Sequence, residues 1–216
     1  MSNLQQMAFY LVALVVSISV HEFSHAWSAY ELGDTTARNQ GRLSLNPIVH
    51  FDPIGALMIV FMAFSGWGIG WGKPVPVNPY KLRTNPRVGM GLTAAAGPFS
   101  NLVLAALAAI PLRLGWSMPG TLTMFLFVLV ITNVSLAIFN LIPLPPLDGF
   151  NVLQGLLATF RTRWAWEWGN KLDKLAAYGP VLLLGLLALG WFTFLDPVGW
   201  FVRGPVESLL NLLLGW

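Results

Sequence analysis

The chain has 216 residues, 56 % hydrophobic and 10 % charged, with a mean hydropathy of +0.65, which is too apolar and too sparsely charged for a soluble domain. Its net charge of +3 comes from a few Lys and Arg set between apolar runs, so it reports topology and lipid headgroups and not a nucleic-acid surface. With no cysteine, disulfides are excluded and any metal must be held by His and carboxylate. The expected class is an all-α polytopic membrane protein: one membrane-embedded domain over 1–216, with a core in 1–160 and a C-terminal helical region in 161–216.

The first apolar run, Met7 to Tyr30, is long enough to span a bilayer. Met1 to Gln6 lacks a basic stretch and no small-residue cleavage site follows the run, so the segment is expected to be retained. A polar stretch, Glu31 to Asp52, carries Arg38 and Arg42. Pro53 to Ser65 is apolar but shorter than the roughly 20 residues a crossing needs, and is bounded by Asp52-Pro53 and Gly66-Trp67-Gly68. Beyond it stand Lys73, Lys81, Arg83 and Arg87, so the positive-inside rule puts both flanks in the cytoplasm and predicts a re-entrant segment. Lys73-Pro74-Val75-Pro76-Val77-Asn78 reads as a short β-strand whose Pro74 and Pro76 leave one edge without donors, while Val75 and Val77 keep theirs on the other.

Val88 to Leu114 and Leu122 to Ile142 are the next spans, the second ending in Pro143, Pro145 and Pro146. A short helix is expected from Gly149 to Phe160. Arg161, Arg163, Lys171 and Lys174 form a third basic loop, with Trp164 and Trp168 one turn apart as interface anchors. Tyr178 to Leu195 is a further span. Pro197 to Trp216, interrupted by Arg203, Gly204, Pro205 and Glu207, is either a last crossing or an interfacial helix.

Ionisable residues inside an apolar helix mark function, and the first run ends in His21-Glu22-Phe23-Ser24-His25. His21 and His25 lie one turn apart on one face, so both imidazoles can reach one ion, while Glu22 points round the helix as a base would. In a soluble helix the same pattern is usually an exposed polar face; in an apolar one it lacks water to compensate it. Three basic loops inside orient the first span outside to inside, and the span 122–142 runs the same way. Its end carries Asp148, the only carboxylate between Asp52 and Glu167, at the depth of the histidines. Asp148 is therefore either the third ligand or a helix cap after a Pro-rich break. His50, Asp34, Asp52 and Glu31 are competing ligands from the adjacent loop.

His21-Glu22-x-x-His25 together with Asn140-Leu141-Ile142-Pro143-Leu144-Pro145-Pro146-Leu147-Asp148-Gly149 resembles the site-2 protease family of intramembrane zinc metalloproteases. Gly97-Pro98-Phe99-Ser100-Asn101 and Gly72-Lys73-Pro74-Val75-Pro76-Val77-Asn78 extend the likeness over most of the chain up to Phe160, within a compact prokaryotic subgroup lacking a PDZ domain. The resemblance implies a three-helix core with one zinc per chain on His21, His25 and Asp148, and Glu22 as general acid/base. It also implies hydrolysis of peptide bonds in or near transmembrane segments, in the cell membrane, with the active site toward the cytoplasm. The partners are then a transmembrane protein substrate and the lipid bilayer. Asn140 and Asn101 are read as oxyanion or substrate-binding amides, or equally as interhelical hydrogen-bonding groups. Val75 and Val77 are read as an edge that pairs with unwound substrate, or with a strand of its own loop. A zinc or proton transporter would place polar groups at several depths, and a non-catalytic scaffold would have lost Glu22 or a ligand.

Overall fold

The computed structural model describes residues 3–65, 70–160 and 162–215. The boundary Gly66-Trp67-Gly68 and the basic residue Arg161 lie outside the described residues. Among the described residues three helices are long and apolar enough to cross a bilayer: α1 (Asn3–Glu31), α5 (Pro86–Arg113) and α6 (Gly120–Asn140). At about 1.5 Å per residue they reach roughly 30 to 45 Å, against a hydrocarbon core of about 30 Å. Asn85 caps α5 by accepting from Arg87 N at 3.0 Å, and Pro86 stands at the first helical position, where its missing N–H costs nothing.

These helices pack where their side chains are small. Ala13 of α1, Ala105, Ala108 and Ala109 of α5, and Val128, Val130 and Val134 of α6 form one buried cluster, joined by Leu214 of α10 (Pro197–Leu214). Alanine faces let backbones approach, which is how helices associate where lipid removes the hydrophobic drive. The opposite faces stay apolar and exposed, as Val103, Leu107 and Ile110 do along α5, and suit a lipid surround. Arg113 at the end of α5 donates to Leu212 O, so the last turn of α10 meets that end of the bundle. Within the region 197–216, left open between a crossing and an interfacial helix, Pro197–Leu214 is thus a helix packed along α5 and α6.

Between α1 and α5 the chain makes two single turns, α2 (Thr36–Asn39) and α3 (Pro47–His50), then α4 (Pro53–Ser65). Asp52 Oδ1 starts α4 by accepting from Ile54 N and Gly55 N. Thirteen residues reach only about 20 Å, and the return strand of chain pairs Gly72 with Phe51 in one antiparallel bridge, with Lys73 N donating to His50 O at 2.8 Å. The excursion closes where it opened, the path a re-entrant segment takes. Residues 73–78 are extended, as expected, but form no strand: beyond that single bridge the described residues contain no sheet. Pro74 and Pro76 lack donors, and no strand among the described residues pairs with the segment.

After α6 a Pro-rich turn leads into α7 (Asp148–Thr159). The third basic loop differs from expectation, since residues 163–176 form a helix, α8 (Arg163–Ala176), capped by Thr162. Tyr178 to Leu195 also differs as a span. Its helix α9 (Gly179–Phe192) has 14 residues, about 21 Å, and meets α8 at a 71° bend.

Candidate metal centre

His21 and His25 sit on the buried face of α1, 6 % and 8 % exposed, with ring centroids 4.5 Å apart. Each ring is fixed through Nδ1: His21 Nδ1 lies 2.6 Å from Asn101 Oδ1 and His25 Nδ1 lies 2.7 Å from Thr93 O, both partners on α5. Both can only accept, so each Nδ1 carries the proton and each Nε2 presents a lone pair. The two Nε2 atoms are 3.0 Å apart.

Asp148 enters from α7. Gly91 of α5 and Gly155 of α7 let these helices touch, because a Cβ on Gly91 would come 2.8 Å from Gly155 Cα. That approach brings Asp148 Oδ2 to 3.0 Å from His21 Nε2 and 3.3 Å from His25 Nε2. Oδ2 is buried with no hydrogen-bond donor. Three acceptors therefore converge with no proton between them, which is repulsive unless a cation joins them. A tetrahedral zinc with ligand bonds of about 2.0–2.2 Å holds neighbouring ligand atoms about 3.3 Å apart, close to this spacing. Gly97 of α5 closes the back of the centre, where a Cβ would stand 2.5 Å from His25 Nε2 and 2.6 Å from His21 Cε1. The residues present fit the group. Among the described residues this is the sole group of three His, Cys, Asp or Glu side chains placed to hold a metal.

Three of the four competing ligands are engaged elsewhere. His50 is buried with Nε2 2.6 Å from Ser44 O, Asp52 caps α4, and Asp34 accepts from Thr36 Oγ1 at 2.5 Å and Asn78 N at 2.6 Å. Burial works against the Asp34 charge, but the Thr36 hydroxyl, the Asn78 and Thr36 amides and Lys81 together hold its pKa below the usual carboxylate value.

Glu22 lines, together with the three ligands, a cavity of about 690 Å³. Its Oε2 accepts from Val75 N at 3.2 Å. The carbonyls of Lys73 and Pro74 are in turn held by the buried guanidinium of Arg42. This overturns the expectation of a free donor at Val75, whose N–H is spent on Glu22, though Val75 and Val77 both line the cavity. Asn140 also lines it, with one amide N–H on Leu136 O at 2.9 Å. Asn101 does not. It stands behind His21, fully buried, so the substrate-binding alternative for it gives way to an interhelical one.

The sequence gives no hint of Arg42 beyond a loop charge, of Asp34 beyond a competing ligand, or of Asn133 at all. Their partners lie 31, 44 and 32 residues away, and nothing in local spacing points to them. Apart from Thr93 and Asn151 the rest of the cavity wall is mostly apolar, with Ile18 of α1, Met58 of α4, Leu136 and Phe139 of α6, and Leu183 and Trp191 of α9.

The model of Peptidase family M50 matches residues 110–186. The chain is similar to a protein named as a zinc metalloprotease, YwhC, of Bacillus subtilis (strain 168), 36 % identical over 222 residues, 97 % of this chain and 92 % of that one. It is also similar to one named as zinc metalloprotease Rip2 of Mycobacterium tuberculosis (strain ATCC 25618 / H37Rv), 32 % identical over 203 residues, 92 % of this chain and 71 % of the relative. The Rip2 of Mycolicibacterium smegmatis is 30 % identical over 143 residues, 65 % of this chain and 54 % of the relative. No solved structure matches the chain significantly.

Proposed function

The chain belongs to peptidase family M50 and is a zinc metalloprotease of the site-2 type, and from that premise we propose that it hydrolyses peptide bonds in or beside the transmembrane segments of other membrane proteins. His21, His25 and Asp148 hold the zinc, and Glu22 moves the proton. The observation that carries the reading is the position of Glu22 and the His–His–Asp cluster on the wall of an apolar cavity between membrane-length helices.

When bound, zinc supplies a Lewis acid that brings the pKa of water down to about 7. The rest is done by the chain. Asn101 and Thr93 O orient the two imidazoles, and the Val75 N–H orients the Glu22 carboxylate toward the cavity. Glu22 takes a proton from the attacking water and returns it to the leaving nitrogen. Asn140 lines the cavity with one N–H on Leu136 O, and in this reading its remaining N–H donates to the developing oxyanion. A helical peptide bond is shielded by its own turn, so the substrate must be extended in the cavity, and the extended wall 73–78 offers Val77 as a pairing edge.

All Lys and Arg except Arg113 and Arg203 fall in or beside the segments that join α1 to α5 and α7 to α9. This bias supports a multi-pass placement in the cell membrane with the site toward the cytoplasm. The test is cleavage of a membrane-spanning peptide by purified, zinc-loaded protein in detergent. Cleavage stops with a chelator and returns with zinc, while Glu22→Gln keeps its zinc and loses about 10²- to 10⁴-fold in rate. Loss of zinc from Glu22→Gln would make Glu22 a ligand and overturn its role.

A further inference from the structure

His25 takes its orientation directly from a main-chain carbonyl, but His21 takes it from a side-chain amide, which can face either way. Turned over, the Asn101 amide would present N–H to His21 Nδ1, push the proton to Nε2 and remove the lone pair a metal needs. What prevents this lies one layer further out. Ser17 O and Leu129 O are carbonyls and can only accept. The groups facing them must be amide N–H: Asn101 Nδ2 at 3.1 Å from Ser17 O and Asn133 Nδ2 at 2.8 Å from Leu129 O. Asn133 Oδ1 then faces Asn101 and accepts its other N–H at 2.8 Å, and Asn101 Oδ1 is left to face His21 Nδ1 at 2.6 Å. The directions follow from the two carbonyls alone.

Asn101 and Asn133 are both 0 % exposed, and neither lines the cavity. Every amide hydrogen lost here leaves a buried group without compensation, so the sequence Leu129 O, Asn133, Asn101, His21 has one low-energy polarity. We infer that Asn133 of α6 is a positioning residue of the metal centre: acting through Asn101, it locks His21 in the tautomer with the proton on Nδ1 and the lone pair on Nε2. The inference rests on His21 being a metal ligand. It gives α6 a part in the centre that none of its own side chains takes by direct contact with the three ligands.

The experiment compares zinc affinity, by chelator competition, in wild type, His21→Ala, Asn133→Leu and Asn133→Asp, and reads the imidazole tautomers of the zinc-free proteins by nitrogen-15 NMR. Asn133→Leu leaves only Ser17 O to oppose the turned-over Asn101 amide, so it is expected to lose roughly 10-fold in zinc affinity, at the low end of what removal of outer hydrogen bonds does elsewhere, and to show a fraction of His21 with the proton on Nε2, absent from wild type. Asn133→Asp, protonated at this depth, keeps a carbonyl toward Asn101 and an O–H toward Leu129 O, and is expected to stay close to wild type. An interhelical tie alone would lower thermal stability in Asn133→Leu and leave affinity and tautomer unchanged, which overturns the proposal. Because Asn133→Leu can also misfold, the wild type gives an independent check: a zinc-free His21 carrying its proton on Nε2 overturns the proposal without any variant. If His21→Ala binds zinc as wild type does, the ligand assignment itself fails; if it loses zinc while Asn133→Leu does not, only the relay fails.

Discussion

Asp148 Oδ2 faces two imidazole nitrogens whose protons are on the far side of their rings, and it has no donor of its own. Removing the charge from that position removes what compensates a dication. Asp148→Asn is therefore expected to lose zinc at concentrations where wild type is saturated, as metal analysis after dialysis would show. His50→Ala should keep its zinc, since His50 is occupied with Ser44 O. Equal zinc in Asp148→Asn and wild type, with loss from His50→Ala, would move the third ligand into the loop. The convergence of His21, His25 and Asp148 was legible in the sequence, because an ionisable group in an apolar run has few inexpensive explanations. Asn133 was not, because a buried amide in a span reads the same whether it ties helices or orients a ligand.

At the scale of elements, the extended segment 73–78 has two attachments that alter its expected role. Arg42 grips its carbonyls and Glu22 takes the Val75 N–H. Burial pushes the Arg42 pKa below its usual value and the nearby Glu22 charge opposes that, so the two side chains also feel each other electrostatically. Val75→Pro removes the donor that holds Glu22. It is expected to slow cleavage of short extended peptides and of helical substrates alike, with zinc content unchanged. Slowing confined to helical substrates would return the segment to the role of a substrate clamp alone. The strand expected here illustrates what propensity leaves out: alternating Pro and Val describe an edge, but a strand needs a neighbour, and this one has an Arg and a Glu.

The α8 helix was hidden for a related reason, since its buried stripe consists of Ala165 and Gly169 with half-buried Leu172, too small to register as an apolar face. Inward it is fastened by Asp173 to Arg87 of α5, at 2.5 Å, and to Gln154 of α7, at 2.6 Å. Outward it exposes Trp164 and Trp168, with Lys171 4.9 Å over the Trp168 ring. Such a helix, bent 71° from an uncharged one, suits the membrane–water interface. Headgroup-level quenchers in lipid vesicles are expected to reach the fluorescence lost in Trp164→Phe and Trp168→Phe, more than aqueous acrylamide does. The opposite order would place α8 in water.

For the whole molecule, the distribution of buried polar groups bears on what the bundle can do. Ser17, His21, His25, Thr93, Asn101 and Asn133 are confined to a band about 12 Å deep along the helices, while Ala13, Ala105, Ala108 and Val128 fill the bundle beyond them. A transported ion would need polar groups at successive depths, and the packed alanines and valines offer none. The order of apolar runs made the three long helices legible, and the charge bias put Asp148 at the depth of the histidines. How α9 and the 70–77 segment wall the cavity was not legible, since that depends on contacts between parts far apart in sequence. The central claim is that the centre serves a substrate delivered through the bilayer. The most direct measurement maps by mass spectrometry the cuts made by wild type and Glu22→Gln in proteoliposomes. One scissile sequence is presented inside a spanning peptide and, separately, in a soluble polypeptide. The account predicts cleavage of the spanning peptide in or next to its apolar segment, absent with Glu22→Gln, and little cleavage of the soluble one. Efficient cutting of the soluble polypeptide with the spanning peptide left intact would contradict it.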